Sequence, residues 1–162
     1  EFDHSIIADF LRRSYFAVDG LWFVKTEEDH SFTEALRIDE EVWKVMSKIQ
    51  ARKARQLLGV DGHSLKDMVR CFGLKFASEG YDYKVHWPSD DEVEIHVSAC
   101  PWYAILHHNG RDAIAAAIAD AICANEFAGW ARDFSEAIGL TIEEKLCTGG
   151  GRCLLRFRNQ QE

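Results

Sequence analysis

The feature that most constrains the fold is a repeated change in the spacing of apolar residues along the chain. Apolar residues recur at intervals of three and four in the first half, which predicts amphipathic helices. They then alternate with polar residues, return to helical spacing and finally alternate again, and alternation predicts strands. Helical spacing covers residues 6–22, 31–59, 64–80 and 113–138, and alternation covers residues 81–87, 93–97, 140–148 and 153–158.

The order of these segments, helices, hairpin, helices, hairpin, predicts an α+β fold. We expect an antiparallel sheet of about four strands packed against helices, with a helical N-terminal half. A length of 162 residues fits a single domain. Within it, residues 1–60 form the helical part and residues 61–162 the remainder. Gly20 lies inside the first predicted helix and permits a kink there.

The second predicted helix is long for a small domain. Ser31 as N-cap, with Glu34 three residues later, predicts its start, and Gly59 predicts its end. A helix of this size is roughly 40 Å long, and its apolar surface exceeds what one face of the sheet can cover. We therefore expect a homodimer built largely on the N-terminal helices.

Composition excludes several partners. The net charge of −8 argues against nucleic acid and anionic membranes, which both bind basic surfaces. No apolar run reaches the roughly twenty residues of a membrane span, and the start EFDHSII lacks the features of a signal peptide. Five cysteines, an odd number, fit poorly with a disulfide framework. We expect a cytoplasmic protein whose thiols are reserved for metal.

The last third of the chain carries a cysteine constellation. Cys123 is followed by Glu144, Cys147 and Cys153, and three consecutive glycines lie in the turn between the last two cysteines. Glycine permits a tight turn with positive φ, which can fold the flanking strands into a hairpin and bring Cys147 and Cys153 together. Thiolates and carboxylates are zinc ligands, and structural sites use four of them. The pattern therefore predicts a metal site.

The fourth ligand has two candidates, Glu144 and Cys100. On a regular strand Glu144 and Cys147 face opposite sides, so either a bulge lies between them or the fourth ligand is Cys100 or water. Four thiolates suit zinc or an iron–sulfur cluster. Cys100 has two further interpretations: a nucleophile with His107 or His108 as base, or a free cysteine at a strand end. Cys71, beside Phe72 on an apolar helix face, is expected in the core.

The C-terminal segment resembles 4-vinyl-reductase-type domains, which also serve as sensory modules of phenol-responsive bacterial activators. The resemblance rests on Cys123-Ala-Asn-Glu-Phe-Ala-Gly-Trp, on Glu144-x-x-Cys147, on the turn to Cys153 and on Leu155-Arg156-Phe157-Arg158. It implies a zinc ion beside a buried pocket for a small aromatic ligand. The zinc ligands that it implies are Cys123, Glu144, Cys147 and Cys153. Residues 61–162 would then form the vinyl-reductase-type metal-binding part. The turn before Cys153 is shorter than in the sensory members.

The N-terminal half is similar to an uncharacterised bacterial and archaeal group related to L-2-amino-thiazoline-4-carboxylate hydrolase-like proteins. This similarity rests on the segment AVDGLWFVKTEEDHSFTEALRIDEEVWKVMSKIQARK. It implies an alternative function, the hydrolysis of a small cyclic amide or amidine. In that case the metal would keep an open position and activate water, with Glu144 released to act as base.

Aromatic residues complete the predicted site. Trp22, Phe23, Trp43, Phe127 and Trp130 are numerous enough to line an apolar pocket, and Phe127 and Trp130 are the candidate ligand-binding residues. The sequence thus predicts a zinc-binding domain of the 4-vinyl reductase type that holds a small apolar or aromatic ligand. The structural or hydrolytic role of the metal depends on its coordination number: four protein ligands indicate a binding module, and three plus water indicate an enzyme.

Overall fold

The structure is a computed structural model that describes residues 1–160. Its α-helices are α1 (His4–Asp29), α2 (Phe32–Leu58), α3 (Leu65–Glu79), α4 (Pro101–His108), α5 (Asp112–Ile118) and α6 (Ala124–Phe134). Its strands are β1 (Asp82–Ser89), β2 (Glu92–Ala99), β3 (Ile138–Glu144) and β4 (Cys153–Asn159). A π-helical turn, Ala119–Cys123, joins α5 to α6, and a 3₁₀ turn, Leu146–Thr148, follows β3. The predicted α+β class is confirmed.

α2 and α3 begin and end where the sequence predicts, whereas α1 continues to Asp29, beyond the apolar stripe of residues 6–22. The Ser31 hydroxyl accepts a hydrogen bond from the backbone N–H of Glu34 (3.1 Å) and caps α2, which ends before Gly59. The Glu34 carboxylate, however, pairs with Arg37 instead of closing a capping box. α1 passes through Gly20 as one continuous helix, so this glycine does not break it.

The four strands form one antiparallel sheet in the order β1-β2-β4-β3. Alternation in β2 and β4 decides which face is buried, because successive side chains point to opposite faces. Val93, Ile95 and Val97 of β2 are almost fully buried, as are Leu155 and Phe157 of β4. These residues pack in one core with side chains from α3 and α6.

The other face of the sheet is charged. Arg156 forms ion pairs with Glu92, Glu94 and Glu143, and Arg158 also pairs with Glu92. Carboxylates and guanidinium groups therefore alternate across neighbouring strands, which stabilises cross-strand pairs on a solvated surface. The helices therefore pack on the opposite, apolar face of the sheet.

Three segments differ from the sequence prediction. The strand predicted over residues 140–148 ends at Glu144, and Leu146–Thr148 form a 3₁₀ turn instead. Residues 101–108 form α4, a helix that the alternation pattern missed because it is short and follows directly on β2. Pro101 occupies its first turn, where the missing N–H of proline costs nothing. Ile138 was predicted in the preceding helix but begins β3, opposite Asn159. The helix ends earlier because Ser135 takes an extended conformation after Phe134.

Candidate functional site

An apolar cavity lies between the sheet and the helices α4 to α6. Val97, Ile142 and Leu155 form its floor on the sheet, and Phe76 and Phe127 form one side. Trp102, Tyr103 and Leu106 of α4 cover it, and Ala115, Ile118 and Ala119 close the far end. The cavity has a volume of about 70 Å³. Almost all of its surface belongs to apolar atoms, so it favours apolar ligands over water.

Four of the five cysteines line this one cavity: Cys100, Cys123, Cys147 and Cys153. Cys100 follows β2 and caps α4, Cys123 ends the π-helical turn, and Cys147 and Cys153 flank the Gly-rich turn. Their approach requires β2, β4, the turn and the α5–α6 segment to meet at one end of the sheet. The sequence predicted these thiols near one another, and the structure places all four on the lining of the same cavity.

The thiols are protonated groups in an apolar environment. Burial raises the pKa of all four above the ordinary value. For Cys153 burial raises the pKa to about 11, even though its sulfur accepts a hydrogen bond from the Leu146 N–H (3.3 Å). For Cys123 the nearby Glu126 and the other three thiols raise the pKa further. A metal ion would have to displace these protons on binding.

Glu144 is engaged outside the cavity. Its Oε1 accepts a hydrogen bond from the Gly151 N–H (2.8 Å), and its Oε2 accepts one from the Arg152 guanidinium (3.2 Å). The sequence allowed a bulge between Glu144 and Cys147, but β3 already ends at Glu144 and Cys147 lies in the 3₁₀ turn that follows. The one irregularity in the described pairing of β3 comes earlier, between Ile142 and Glu144. The carboxylate thus holds the Gly-rich turn, and joining a metal site would require it to leave Arg152.

The Gly-rich turn has a steric reason for its glycines. Gly149 adopts a left-handed conformation with φ of 87°, which side chains disfavour. A Cβ on Gly150 would lie 2.7 Å from the carbonyl oxygen of Lys145, so the chain can approach itself this closely only without a side chain. This tight turn sets the positions of Cys147 and Cys153.

The thiols share a cavity without forming a completed metal centre. Within residues 1–160 no three histidine, cysteine, aspartate or glutamate side chains lie close enough to hold one ion. The donor chemistry fits zinc, because thiolates are soft ligands. The positions of these donors do not fit one ion without movement of the segments that carry them.

The two aromatic residues predicted to bind the ligand occupy different places. Phe127 lines the cavity, whereas Trp130 is fully buried in the core, with its ring 5.4 Å from that of Phe72. Trp22 lies on the surface, 71% exposed. Tyr81 and Trp102 line the cavity instead. Trp102 belongs to the helix that the alternation pattern missed, so the sequence offered no reason to select it.

A buried ion cluster of Lys75, Glu79 and Glu126 lies next to the cavity. The Lys75 ammonium lies 2.7 Å from Glu79 Oε1 and 2.9 Å from Glu126 Oε1, and all three side chains are almost fully buried. The Trp102 indole N–H donates to Glu79 (2.9 Å), so the helix that covers the cavity is tied to the cluster. The Lys75 ammonium also lies 5.9 Å from the centre of the Tyr81 ring. The sequence did contain a sign of this buried pair, because Lys75 and Glu79 are four residues apart and share the apolar face of α3.

The cluster extends into α1 and α2 through polar groups. Gln50 donates weakly to Glu79 (3.3 Å) and to the Tyr15 hydroxyl (3.3 Å). Burial raises the pKa of Asp39 to about 7 and that of Asp19 to about 6, and Asp19 raises the pKa of Asp39 further. Within this cluster the carboxyl groups thus outnumber the Lys75 ammonium, the one cation that the described residues place there.

The comparison with known protein families matches residues 3–142. The chain belongs to a family of unknown function, DUF6125. The matched segment of this DUF6125 member includes Cys100 and Cys123 and ends before Glu144, so Cys147 and Cys153 lie beyond it. No curated protein matches the chain. Among residues 1–160 of this DUF6125 member, no helix has the length and apolar character needed to span a membrane.

Replacing Lys75 tests the ion cluster. Lys75→Met should destabilise the protein by about 3–5 kcal/mol at pH 8, because it leaves two buried carboxylates without their cation. Lys66→Met removes an exposed pair with Asp90 and should cost less than about 1 kcal/mol. Urea unfolding of both variants measures the difference. Equal and small losses for the two lysines would show that the cluster contributes no stability.

The raised carboxyl pKa values predict a dependence of stability on pH. Burial raises the pKa of Glu126 to about 7, as it raises those of Asp39 and Asp19. Between pH 4 and 7 the folded protein therefore holds protons that the unfolded chain has released, so the free energy of unfolding should fall as pH rises through this window and level off above it. Urea unfolding at stepped pH measures this.

A matched pair of variants identifies the source of the pH dependence. Asp39→Asn removes one titrating group and should flatten the decline between pH 5 and 7. Asp90→Asn, at an exposed position, should leave the slope unchanged. A stability that is constant or increases from pH 5 to 8 would contradict the assignment.

Proposed function

We propose that this domain binds a small apolar molecule in the cavity that the four cysteines line. The observation that carries the proposal is the lining itself, which combines apolar and aromatic side chains with four thiols and few charges. Lys145 is the one charged side chain on this lining among the described residues, and its ammonium pairs with Asp120. An apolar enclosure with a few convergent polar groups is the usual form of a small-molecule site.

The volume limits the ligand. About 70 Å³ is roughly half of the 150 Å³ that holds benzene in an engineered apolar cavity. A molecule smaller than benzene fits the cavity in this conformation, and an aromatic ligand requires the wall to open. α4 is the segment suited to open, because it is eight residues long and none of its residues is fully buried.

Zinc is a second candidate ligand, supported by the four thiols on the lining of one cavity. The proposed ligands are Cys123, Cys147 and Cys153, with Cys100 as fourth ligand in place of Glu144. Four protein ligands would make the metal a structural element that joins the C-terminal hairpin to the π-helical turn. An iron–sulfur cluster on the same thiols stays an alternative prediction.

The remaining sequence predictions stay predictions. The resemblance to 4-vinyl-reductase-type domains supports a small-ligand site beside a metal, while the family that matches the chain has no known function. Hydrolysis of a cyclic amide or amidine requires a metal with an open position, so coordination number separates it from binding alone. A cytoplasmic location and a homodimer are likewise proposals from the sequence.

Filling the cavity tests the ligand proposal. A graded series of probes (cyclopropane, benzene and naphthalene) should raise the melting temperature of the wild type up to a limiting size. A probe at ten times its dissociation constant adds about 1.4 kcal/mol to the free energy of unfolding. Ala119→Phe should abolish the effect, because Ala119 lines the cavity. Thermal melts with and without each probe measure it.

The matched control lies on the same helical segment. Ala117 is exposed, so Ala117→Phe should respond to the probes like the wild type. The proposal would be wrong if no probe stabilised the wild type, or if Ala119→Phe retained the full response.

Removing one thiol tests the metal proposal. A strong chelator should lower the melting temperature of the wild type, because metal binding free energy contributes to folding free energy. Cys147→Ser should already have lost that stability and be insensitive to the chelator. Cys71→Ser should respond like the wild type, because Cys71 is a core residue away from the cavity. Identical wild-type melts before and after confirmed metal removal would exclude a stabilising metal.

A further inference from the structure

The first helix carries its apolar stripe on the outside. Every residue of α1 is at least partly exposed, and its inward contacts come from Tyr15 and Phe16, which pack on Trp43 and Trp102. The stripe that its helical spacing predicts points to solvent instead. The large apolar side chains of α1 that are at least 45% exposed are Ile6, Ile7, Phe10, Leu11, Val18, Leu21 and Trp22.

The second helix carries an exposed apolar stripe as well. Ile38, Val42, Val45 and Ile49 are 38%, 51%, 58% and 49% exposed. Together with Met46 and two flanking charged residues they line a groove along α2. Their spacing of four, three and four residues is that of a coiled-coil seam.

The two stripes lie on the same side of the α1–α2 hairpin. The helices are antiparallel, because Phe23 contacts Phe32 near the connection and Tyr15 contacts Trp43 further along. Val42 precedes Trp43, which packs against α1, and one residue turns a helix by 100°. Val18 similarly precedes Asp19 on the inner side of α1. On each helix the stripe residue lies one position before a residue at the α1–α2 contact. Because the helices are antiparallel, this step turns both stripes toward the same side of the hairpin, where they form one surface.

This surface is large enough for a stable interface. An aromatic side chain buries 150–250 Å², so Phe10 and Trp22, about 70% exposed each, together offer roughly 300 Å². With the other exposed apolar side chains the surface is on the order of 1,000 Å². That exceeds the few hundred Å² of a typical exposed patch and matches the roughly 800 Å² per partner of a standard interface.

The stripe on α2 is symmetric in both spacing and residue type. Ile38, Val42, Val45 and Ile49 read the same in either direction along the helix. A twofold axis perpendicular to α2, between Val42 and Val45, therefore brings Ile38 opposite Ile49 of a second copy. It also brings Val42 opposite Val45 of that copy. Such self-complementarity is what a twofold interface requires.

Charge complementarity favours the same arrangement. Toward the N-terminus of α2 lie the half-buried Glu34, paired with the exposed Arg37, and the exposed Glu41. Toward its C-terminus lie the exposed basic residues Lys48, Arg52 and Lys53. Antiparallel pairing about this axis puts Glu34 opposite Lys53 of the second copy. Parallel pairing would put like charges opposite each other, and like charges at the flanking positions of a helical pair repel.

We propose that two copies of this chain pair through this surface, with α2 antiparallel to α2 about a twofold axis between Val42 and Val45. The two α1 helices flank the pair and complete a four-helix bundle. The cavity of each copy lies between the sheet and α4 to α6, away from this surface. The dimer proposal therefore does not depend on the proposal that the cavity binds a ligand.

Light scattering during size exclusion measures the assembly. The wild type at 50 µM should have twice the 18.5 kDa mass of one chain. Val42→Glu combined with Val45→Glu puts four like charges at the axis and should give a monomer with an unchanged circular dichroism spectrum. Val85→Glu changes a half-exposed valine on β1 and should stay dimeric. A monomeric wild type, or a dimeric double variant, would overturn the proposal.

A charge exchange tests the antiparallel register without altering the apolar stripe. Glu34→Lys and Lys53→Glu should each raise the dissociation constant of the dimer roughly fivefold, because each creates repulsion at two symmetric positions. The variant with both changes should return to within about twofold of the wild type. Additive weakening in the double variant would overturn the register.

Discussion

The arrangement of the helices depends on one buried cation. Lys75 balances Glu79 and Glu126 where water is excluded, and such charges are tolerated in a protein interior only when they are paired. Because Glu126 lies on α6 and Glu79 also holds the Trp102 indole of α4, the cluster joins α3 to the two helices around the cavity. The cluster therefore stabilises the packing of the helices and also holds in place the two helices that enclose the cavity.

The cavity follows from how the sheet ends. β2, β3 and β4 deliver Cys100, the Gly-rich turn and Cys153 to one end of the sheet, and the π-helical turn adds Cys123 from above. π-helical turns within α-helices are frequent at functional sites. A short helix then covers the opening. Apolar walls, four protonated thiols and a short covering helix suit binding of a small apolar molecule, with metal binding dependent on deprotonation and movement of the thiols.

Much of the fold could be predicted from the sequence because its signals are local. The Ser31 and Gly59 boundaries and the alternation in β2 report backbone and burial preferences directly. The predicted cysteines line one cavity together with Cys100, while the metal site itself stays a prediction. The direction of the α1 stripe could not be predicted, because periodicity shows that a face is apolar but not what covers it. The role of Lys75 depended on tertiary contacts with another helix, and α4 was too short for its spacing to show.

The central claim is that the thiol-lined space is a binding site for apolar molecules. A crystal structure under xenon pressure tests it most directly, because xenon enters dry apolar cavities without hydrogen bonds. The account predicts a xenon atom enclosed by Phe76, Trp102, Ile118 and Phe127, with the four sulfurs on the surrounding wall. Ordered water molecules in this space, or side chains that fill it while xenon binds elsewhere, would contradict the claim.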